Sequence, residues 1–362
     1  MIARRQLLVL AALPAAGHAA PAAATTAAAT TATTAAAPAA AEGPAVLRTP
    51  ALITPRAAGA AMLAVARAGR RLVAAGERGI VRLSDDDGAG WSQARVPVQV
   101  SLTALHFADA RRGWATGHLG TILRTGDGGA NWTLQLHGID AARRLLAAAA
   151  DEPARQRAQR LVDEGPDKAF FDLDLAGPRG LAVGAYGLAA ETRDEGASWQ
   201  PVPPARLPNP KGLHLYAARW LGRQLFVAGE QGLLLRSDDG GGSFEPLASP
   251  YKGSFFGLLA MRAGSLIAFG LRGHAFRSTD AGASWEKLET GVPASLGAGV
   301  QRADGRLLLL AQNGDLLASR DDGRHFERLS AARPLPAAAL AACDDGHVVV
   351  AGLRGLQRVK TS

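Results

Sequence analysis

Residues 84–91 read SDDDGAGW, and the same spacing of a hydroxyl, a carboxylate, a glycine and an aromatic ring returns five more times. The first three boxes are Ser84, Asp86, Gly88, Trp91, then Thr125, Asp127, Gly129, Trp132, then Thr192, Asp194, Gly196, Trp199. The last three are Ser237, Asp239, Gly241, Phe244, then Ser278, Asp280, Gly282, Trp285, then Ser319, Asp321, Gly323, Phe326. Successive boxes start 41, 67, 45, 41 and 41 residues apart. In such a box the carboxylate accepts backbone N–H bonds inside a tight hairpin, the glycine takes a positive φ, and the ring packs between adjacent sheets. The aspartates Asp86, Asp127, Asp194, Asp239, Asp280 and Asp321 are therefore read as architecture.

Working outward, each box follows two short apolar runs joined by a Gly-x-x-Gly turn. The first turn positions are Gly76, Gly117, Gly184, Gly229, Gly270, Ala311 and Gly352, which makes seven turns for six boxes. About 41 residues carrying four short strands is the size of a propeller blade. The expected fold is all-β, a seven-bladed β-propeller over residues 46–362. Its seventh unit stops after Val359, before a box and an outer strand. The stretch Ala45–Thr54 (AVLRTPALIT) is expected to supply that strand from the other end and close the ring by terminal strand exchange.

The 67-residue spacing marks an insertion, about residues 138–166, whose Leu145, Leu146, Ala158, Leu161 and Val162 fall at helical intervals. One or two helices are expected, with Asp151 as a cap and Pro153 in a first turn. They read as a cover packed on the ring or as an arm for a partner. Upstream, Arg4 and Arg5 precede an apolar run from Leu7 to Ala16, which reads as an export signal over residues 1–19, by the twin-arginine or the general secretory route. Residues 20–45, nearly all Ala, Thr and Pro, read as a flexible linker.

Composition narrows the chemistry. The chain has 362 residues, 40 Lys and Arg against 32 Asp and Glu, and a single cysteine, Cys343. One cysteine excludes an intramolecular disulfide, a Cys-x-x-Cys redox or zinc site and a thiolate-held cluster. The histidines form no His-x-His or His-Glu-x-x-His pattern, so no metal or other cofactor is expected. No phosphate loop, dinucleotide fingerprint or nucleophile elbow occurs. No basic patch interleaved with aromatics suggests nucleic acid.

A binding surface is expected where the turns between second and third strands meet the loops leading into the first strands. The turns place Arg78, His118, Tyr186, Arg272 and Arg354 there. The loops of blades three to five each carry a lysine, Lys168, Lys211 and Lys252, which are three of the five lysines in the chain. Aromatic or histidine neighbours follow them, including Phe171, His214 and Phe255. The arc reads either as a docking surface for an acidic segment or anionic head group, or as solvated loop tips over inward-packed rings. Arg124, Arg236 and Arg277, just before three of the boxes, read as solvated strand positions or a second basic stripe. For glycoside hydrolysis, which needs two carboxylates flanking one bond, the candidates at the mouth are Glu77, Glu230, Asp172 and Asp174.

These boxes resemble the Asp-box repeat of sialidases, some glycoside hydrolases and several non-catalytic propellers. A sialidase would also show an Arg-Ile-Pro motif and usually six blades, and this chain has neither. Over residues 46–362, with seven blades, the boxes, turns such as GERG (76–79) and GEQG (229–232) and the export signal, the chain is similar to the photosystem II stability and assembly factor family. The resemblance implies a non-catalytic periplasmic or thylakoid-lumenal chaperone that binds a membrane-protein subunit during assembly, through basic residues; a monomer is expected, with the partner or its acidic extracytoplasmic segment docked on the arc. In a bacterium without oxygenic photosynthesis an envelope membrane protein takes the photosystem's place. Peripheral contact with the membrane stays open, and a carbohydrate-active hydrolase is the alternative.

Overall fold

The computed structural model describes residues 43–329 and 336–361. The export signal and almost all of the linker expectation lie outside these residues. Blade 1 consists of Met62–Ala68, Arg71–Gly76, Val81–Ser84 and Ser92–Gln93, hydrogen-bonded in that order and antiparallel. Five further four-stranded sheets and one of three strands repeat the plan. Second strands such as Leu266–Gly270 and Leu307–Ala311 are buried along their whole length. They are covered on both faces, which is why they read as unbroken apolar runs and not as alternating ones.

The innermost strands begin at Met62, Leu102, Phe170, Leu215, Phe255, Leu296 and Ala337. Each touches the next, and the last touches the first, so the seven sheets form a closed ring around an axial channel. The core consists of the seams between blades. One seam gathers Trp114, Phe170, Leu173, Ala182 and Trp199, and another gathers Phe226, Phe255, Leu258 and Phe276.

All six boxes adopt one hydrogen-bonded geometry. The Ser or Thr hydroxyl donates to the Asp Oδ1 at 2.7–2.8 Å. That hydroxyl accepts the N–H of the box glycine at 2.7–3.0 Å. The Asp Oδ1 also accepts the N–H four residues on, at 2.8–3.0 Å. The box glycines stand at φ between 68° and 93°, where a Cβ would be strained.

The Ser198 hydroxyl and N–H hold Asp194 down to about 2, and Ser284 does the same for Asp280, also to about 2. Asp239 and Asp321 lie lower still, held first by the N–H groups of Ser243 and His325. Since unfolded Asp titrates near about 3.9, these carboxylates stabilise the fold fully above that value. Their contribution is lost as pH falls from about 4 to about 2. The urea midpoint is expected to hold steady from neutral pH to about 4 and then to drop. An Asp194→Asn, Asp280→Asn variant should show a shallower drop; an unchanged slope would remove the boxes from acid stability.

Ring closure differs from the expectation. The seventh sheet has three strands among the described residues, Ala337–Ala342, His347–Gly352 and Gly355–Lys360, and residues 45–54 add no strand to it. Pro50 deprives that stretch of a ladder donor, and the segment lies instead along residues 93–99. Ala51 N donates to Val96 O, Gln99 N to Val46 O, and the Gln93 side chain bonds both Leu52 O and Thr54 N. The seam between blades 7 and 1 is closed by packing. Ala57 and Ala60 wedge against Met62, Ala74 and Ala351, while Arg67 reaches Ala342 O, Asp344 and Asp87.

The insertion forms α1 (Gly138–Ala147) and α2 (Glu152–Glu164). Asp151 Oδ1 accepts Ala154 N–H at 2.7 Å, and Pro153 sits in the first turn. α1 packs on the outer strand of blade 3, with Arg144 Nη1 donating to Trp199 O at 2.8 Å. Only Ala158 of α2 is buried. No helix among the described residues is long and apolar enough to cross a membrane.

Candidate docking face at the channel mouth

One face of the ring is built by a contact repeated in every blade. The first free N–H of the turn between strands two and three donates to the carbonyl just before the innermost strand. The pairs run from Glu77 to Ala61, His118 to Ser101, Ala185 to Ala169, Glu230 to His214, Leu271 to Ser254, Gln312 to Ser295 and Leu353 to Pro336. In blades 1–5 the two central residues of this turn both have positive φ, the geometry of a type I′ hairpin. The second is the closing glycine, as at Gly79 and Gly187, and the first is a side-chain-bearing residue: Arg78, Leu119, Tyr186, Gln231 or Arg272. These five side chains form the tips of the mouth.

The structure sorts the expected site residues. Arg78, Tyr186, Arg272 and Arg354 are exposed on this face, Tyr186 by 65%. Lys211 and Lys252 are exposed on the loops beside them. The loop bearing Lys211 is clamped by Asn209, which bonds both Leu213 O and Leu213 N. Lys168 departs from the expectation, since its Nζ is paired with Glu164 at 2.7 Å and Asp167 at 3.1 Å. The end of α2 thus neutralises it, and the arc of three free lysines is reduced to two. His118 precedes the tip and is half-buried, which lowers its pKa.

Phe255 is a correction too: it is fully buried in the seam with Phe276 and Leu258. A β-bulge breaks the alternation here: Phe256 is the extra residue between Phe255 and Gly257, and its ring meets Tyr216, the extra residue at the same place in blade 4. Two of the three stripe arginines are also committed. Arg236 pairs with Asp238, and Arg277 bonds Asp322 of the next blade at 2.6 Å, tying blades 5 and 6 together.

Behind the tips lies a band of rings, in which Tyr186 is exposed while Tyr216 and Phe256 are buried. Tyr186 lies 4.5 Å from His214, whose Nδ1 accepts the Tyr186 N–H at 2.9 Å. His214 lies 6.0 Å from Tyr216, which stacks on Phe171 at 5.5 Å and meets Phe256 edge-on at 5.3 Å. Tyr251, next to Lys252, stacks on His274 at 4.5 Å. The sequence reading missed Tyr216, Tyr251 and His274; Tyr251 is next to Lys252 and His274 follows the blade 5 turn, while Tyr216 is the extra residue of a β-bulge that breaks the strand's alternation.

The candidate carboxylates are all engaged with backbone. Glu77 Oε1 accepts Ala61 N–H at 3.0 Å and Glu230 Oε2 accepts His214 N–H at 2.9 Å. On the channel wall Asp172 Oδ2 accepts Ala218 N–H at 3.1 Å and Arg219 Nη1 at 2.5 Å. Asp174 accepts Trp220 N–H at 2.8 Å and lies 3.0 Å from His106 Nδ1. These carboxylates satisfy donors on the exposed edge of an innermost strand, which would otherwise go unpaired. Burial opposes ionisation of both. It prevails at Asp172, whose pKa is raised against the pull of Arg219, whereas the contacts of Asp174 with His106 and Arg219 overcome it. Among the described residues no group of three or more His, Cys, Asp or Glu is placed to hold a metal ion.

The family model of the photosynthesis system II assembly factor YCF48 matches residues 153–306. No curated protein matches the chain. Among solved structures, YCF48 bound to D1 peptide superposes with a TM-score of 0.61 at 16% identity, over 86% of this chain and 96% of that one. YCF48 from Cyanidioschyzon merolae gives 0.59 at 13%, over 86% and 98%. The GH74 xyloglucanase from Xanthomonas campestris gives 0.60 at 17%, over 83% of this chain and 52% of that one. Identities this low show the fold alone. The chain is a seven-bladed β-propeller that structurally resembles the family of the photosynthesis system II assembly factor YCF48, whose model it matches across the central blades.

Proposed function

We propose that this chain is a non-catalytic, extracytoplasmic binding propeller that holds an acidic segment of a membrane-protein partner across its channel mouth. The observation that carries this reading is the ring of Tyr186, exposed by 65% and backed by a band in which Tyr216 and Phe256 are buried, with exposed Lys211, Lys252 and Arg272 beside it, on a face whose candidate carboxylates Glu77 and Glu230 are engaged with backbone. Aromatic and arginine side chains in such a setting dominate binding energy, and the cations steer an acidic chain towards them. The family likeness supports an assembly role, and one similar structure is that of YCF48 bound to D1 peptide. An extracytoplasmic place, the periplasm or a thylakoid lumen, rests on that likeness and on the export signal read in residues 1–19.

A second reading, glycoside hydrolysis, draws on the Asp172 and Asp174 pair and on the likeness to a xyloglucanase fold. It is the weaker one. Both carboxylates project from one strand onto the next and bind its N–H groups, so they do not flank a cleft from opposite sides.

The test is recovery of the partner by the mature protein from detergent-solubilised envelope, followed by titration with peptides tiling the partner's extracytoplasmic segments. The combined Tyr186→Ala, Lys211→Glu and Arg272→Glu variant is expected to lose about 30-fold or more in peptide affinity, the scale of losing one hot spot. Lys168→Glu, at a residue already paired, is expected to leave it nearly unchanged. Equal losses in the two variants would move the surface elsewhere. Hydrolysis of xyloglucan without peptide binding would replace this reading with the second.

A further inference from the structure

Five large hydrophobic side chains are exposed among the described residues, and four of them lie on the segment before blade 1 or on the blade 7 turn that its end approaches. Val46, Leu52 and Ile53 lie on the segment before blade 1, with Leu52 exposed by 69% and Ile53 by 59%; Leu353 is in the mouth turn of blade 7. This is the stretch that the sequence suggested as a closing strand. It lies on the mouth face, since a Cβ on Gly79 of the blade 1 turn would stand 3.3 Å from Ala51, and one on Gly355 of the blade 7 turn 2.8 Å from Ala58 O. The segment thus runs from the turn carrying Arg78 to the turn carrying Arg354.

Its backbone is held firmly. Gln93 Nε2 donates to Leu52 O at 2.8 Å and Gln93 Oε1 accepts Thr54 N–H at 3.1 Å, while Gln99 Nε2 donates to Pro50 O at 2.9 Å. Two glutamines therefore fix Leu52 and Ile53 outward, although burying two such side chains would ordinarily be favourable. Residues 43–60 contain no acidic side chain. Arg56 on the segment and Arg78 and Arg354 on the two turns it approaches are exposed, and the turn carboxylate Glu77 is occupied by Ala61 N–H.

From this arrangement we infer that residues 46–56 and the blade 7 turn form a membrane-contact ridge whose occupant is the surface of an anionic phospholipid bilayer. Leu52 and Ile53 enter the headgroup and acyl boundary, and the arginines meet the lipid phosphates. An aliphatic tip on a raised segment offers a protein partner no pocket, and a second copy of the same surface would set arginine against arginine. The inference does not rest on the peptide site. It adds an orientation, in which the mouth faces the membrane from which a partner's segment emerges.

Flotation of the exported protein with vesicles tests it, using phosphatidylcholine alone and an equal mixture with phosphatidylglycerol. Wild type should partition onto the mixed vesicles and only weakly onto the neutral ones, with added salt releasing it. Leu52→Ser with Ile53→Ser should lower partitioning about tenfold, since two partly inserted aliphatic side chains are lost. Its melting temperature should stay unchanged, because both residues are exposed. Arg56→Glu with Arg354→Glu should abolish the preference for the anionic vesicles, and Tyr186→Ala should change nothing. The inference is overturned if wild type shows no preference for anionic vesicles, if the Leu52 and Ile53 variant floats as well as wild type, or if Tyr186→Ala alone releases the protein. The last outcome would leave the peptide-docking reading standing.

Discussion

Replacing Trp114 by alanine is expected to destabilise the protein by about 3–5 kcal/mol, the range for truncating a buried aromatic. The side chain is 1% exposed in the seam between blades 2 and 3, packed with Phe170, Leu173, Ala182 and Trp199. Its Nε1 donates to Gly196 O at 2.9 Å, so the indole joins one blade's second strand to the next blade's box. A Cβ on Gly196 would stand 2.3 Å from the indole, and the glycine therefore serves this contact as well as its own positive φ. The alanine variant leaves a cavity and an unpaired carbonyl together. Against a typical total of about 5–15 kcal/mol, the urea midpoint should fall by a large fraction. Trp114→Phe, which keeps most of the volume, should cost about 1–2 kcal/mol for the lost hydrogen bond. A loss below about 1 kcal/mol for the alanine variant would mean that the seams are not what holds the ring.

Arg67→Ala is expected to loosen the ring at one place. The guanidinium donates to Ala342 O at 3.0 Å and to Asp344 at 2.8 Å, and lies 3.3 Å from Asp87. It therefore spans the seam between blades 7 and 1, the one seam that sequence reasoning assigned to strand exchange. Charge-assisted bonds of this kind contribute about 1.5–3 kcal/mol. The 60% exposure of Asp344 favours the lower half of that range. Hydrogen exchange should accelerate in Met62–Ala68 and in the three strands of blade 7, while the central blades keep their protection. Uniform acceleration around the ring would contradict a local latch.

Features set by short-range geometry were legible in the sequence. A box needs a carboxylate four residues before the N–H it accepts and a glycine at positive φ; a type I′ turn needs a second such glycine. These demands act over a few residues, so spacing alone revealed seven units. Ala311 replaces the turn glycine in blade 6, and there the turn differs, with Gly314 at φ 93° providing the positive φ. What spacing could not reveal depends on contacts between distant residues. Ala45–Thr54 is apolar enough for a strand, but Pro50, Gln93 on the outer strand of blade 1 and Gln99 on the connection after it hold it as a ridge. The exception is Lys168, whose partners Glu164 and Asp167 are four and one residues away and could have been read from the sequence as a local ion pair. Phe255 enters the seam while Phe256 is the extra residue of a β-bulge, an irregularity that the strand's apolar pattern does not announce.

In the proposed function a partner segment lies across the turn face and not across the box face. Hydrogen exchange of the mature protein, with and without the partner peptide selected by titration, tests it most directly. Protection is expected at the turns 185–187, 230–232 and 271–273 and at the loops bearing Lys211 and Lys252. Protection confined to the boxes, or none at a peptide concentration that saturates binding, would contradict the account.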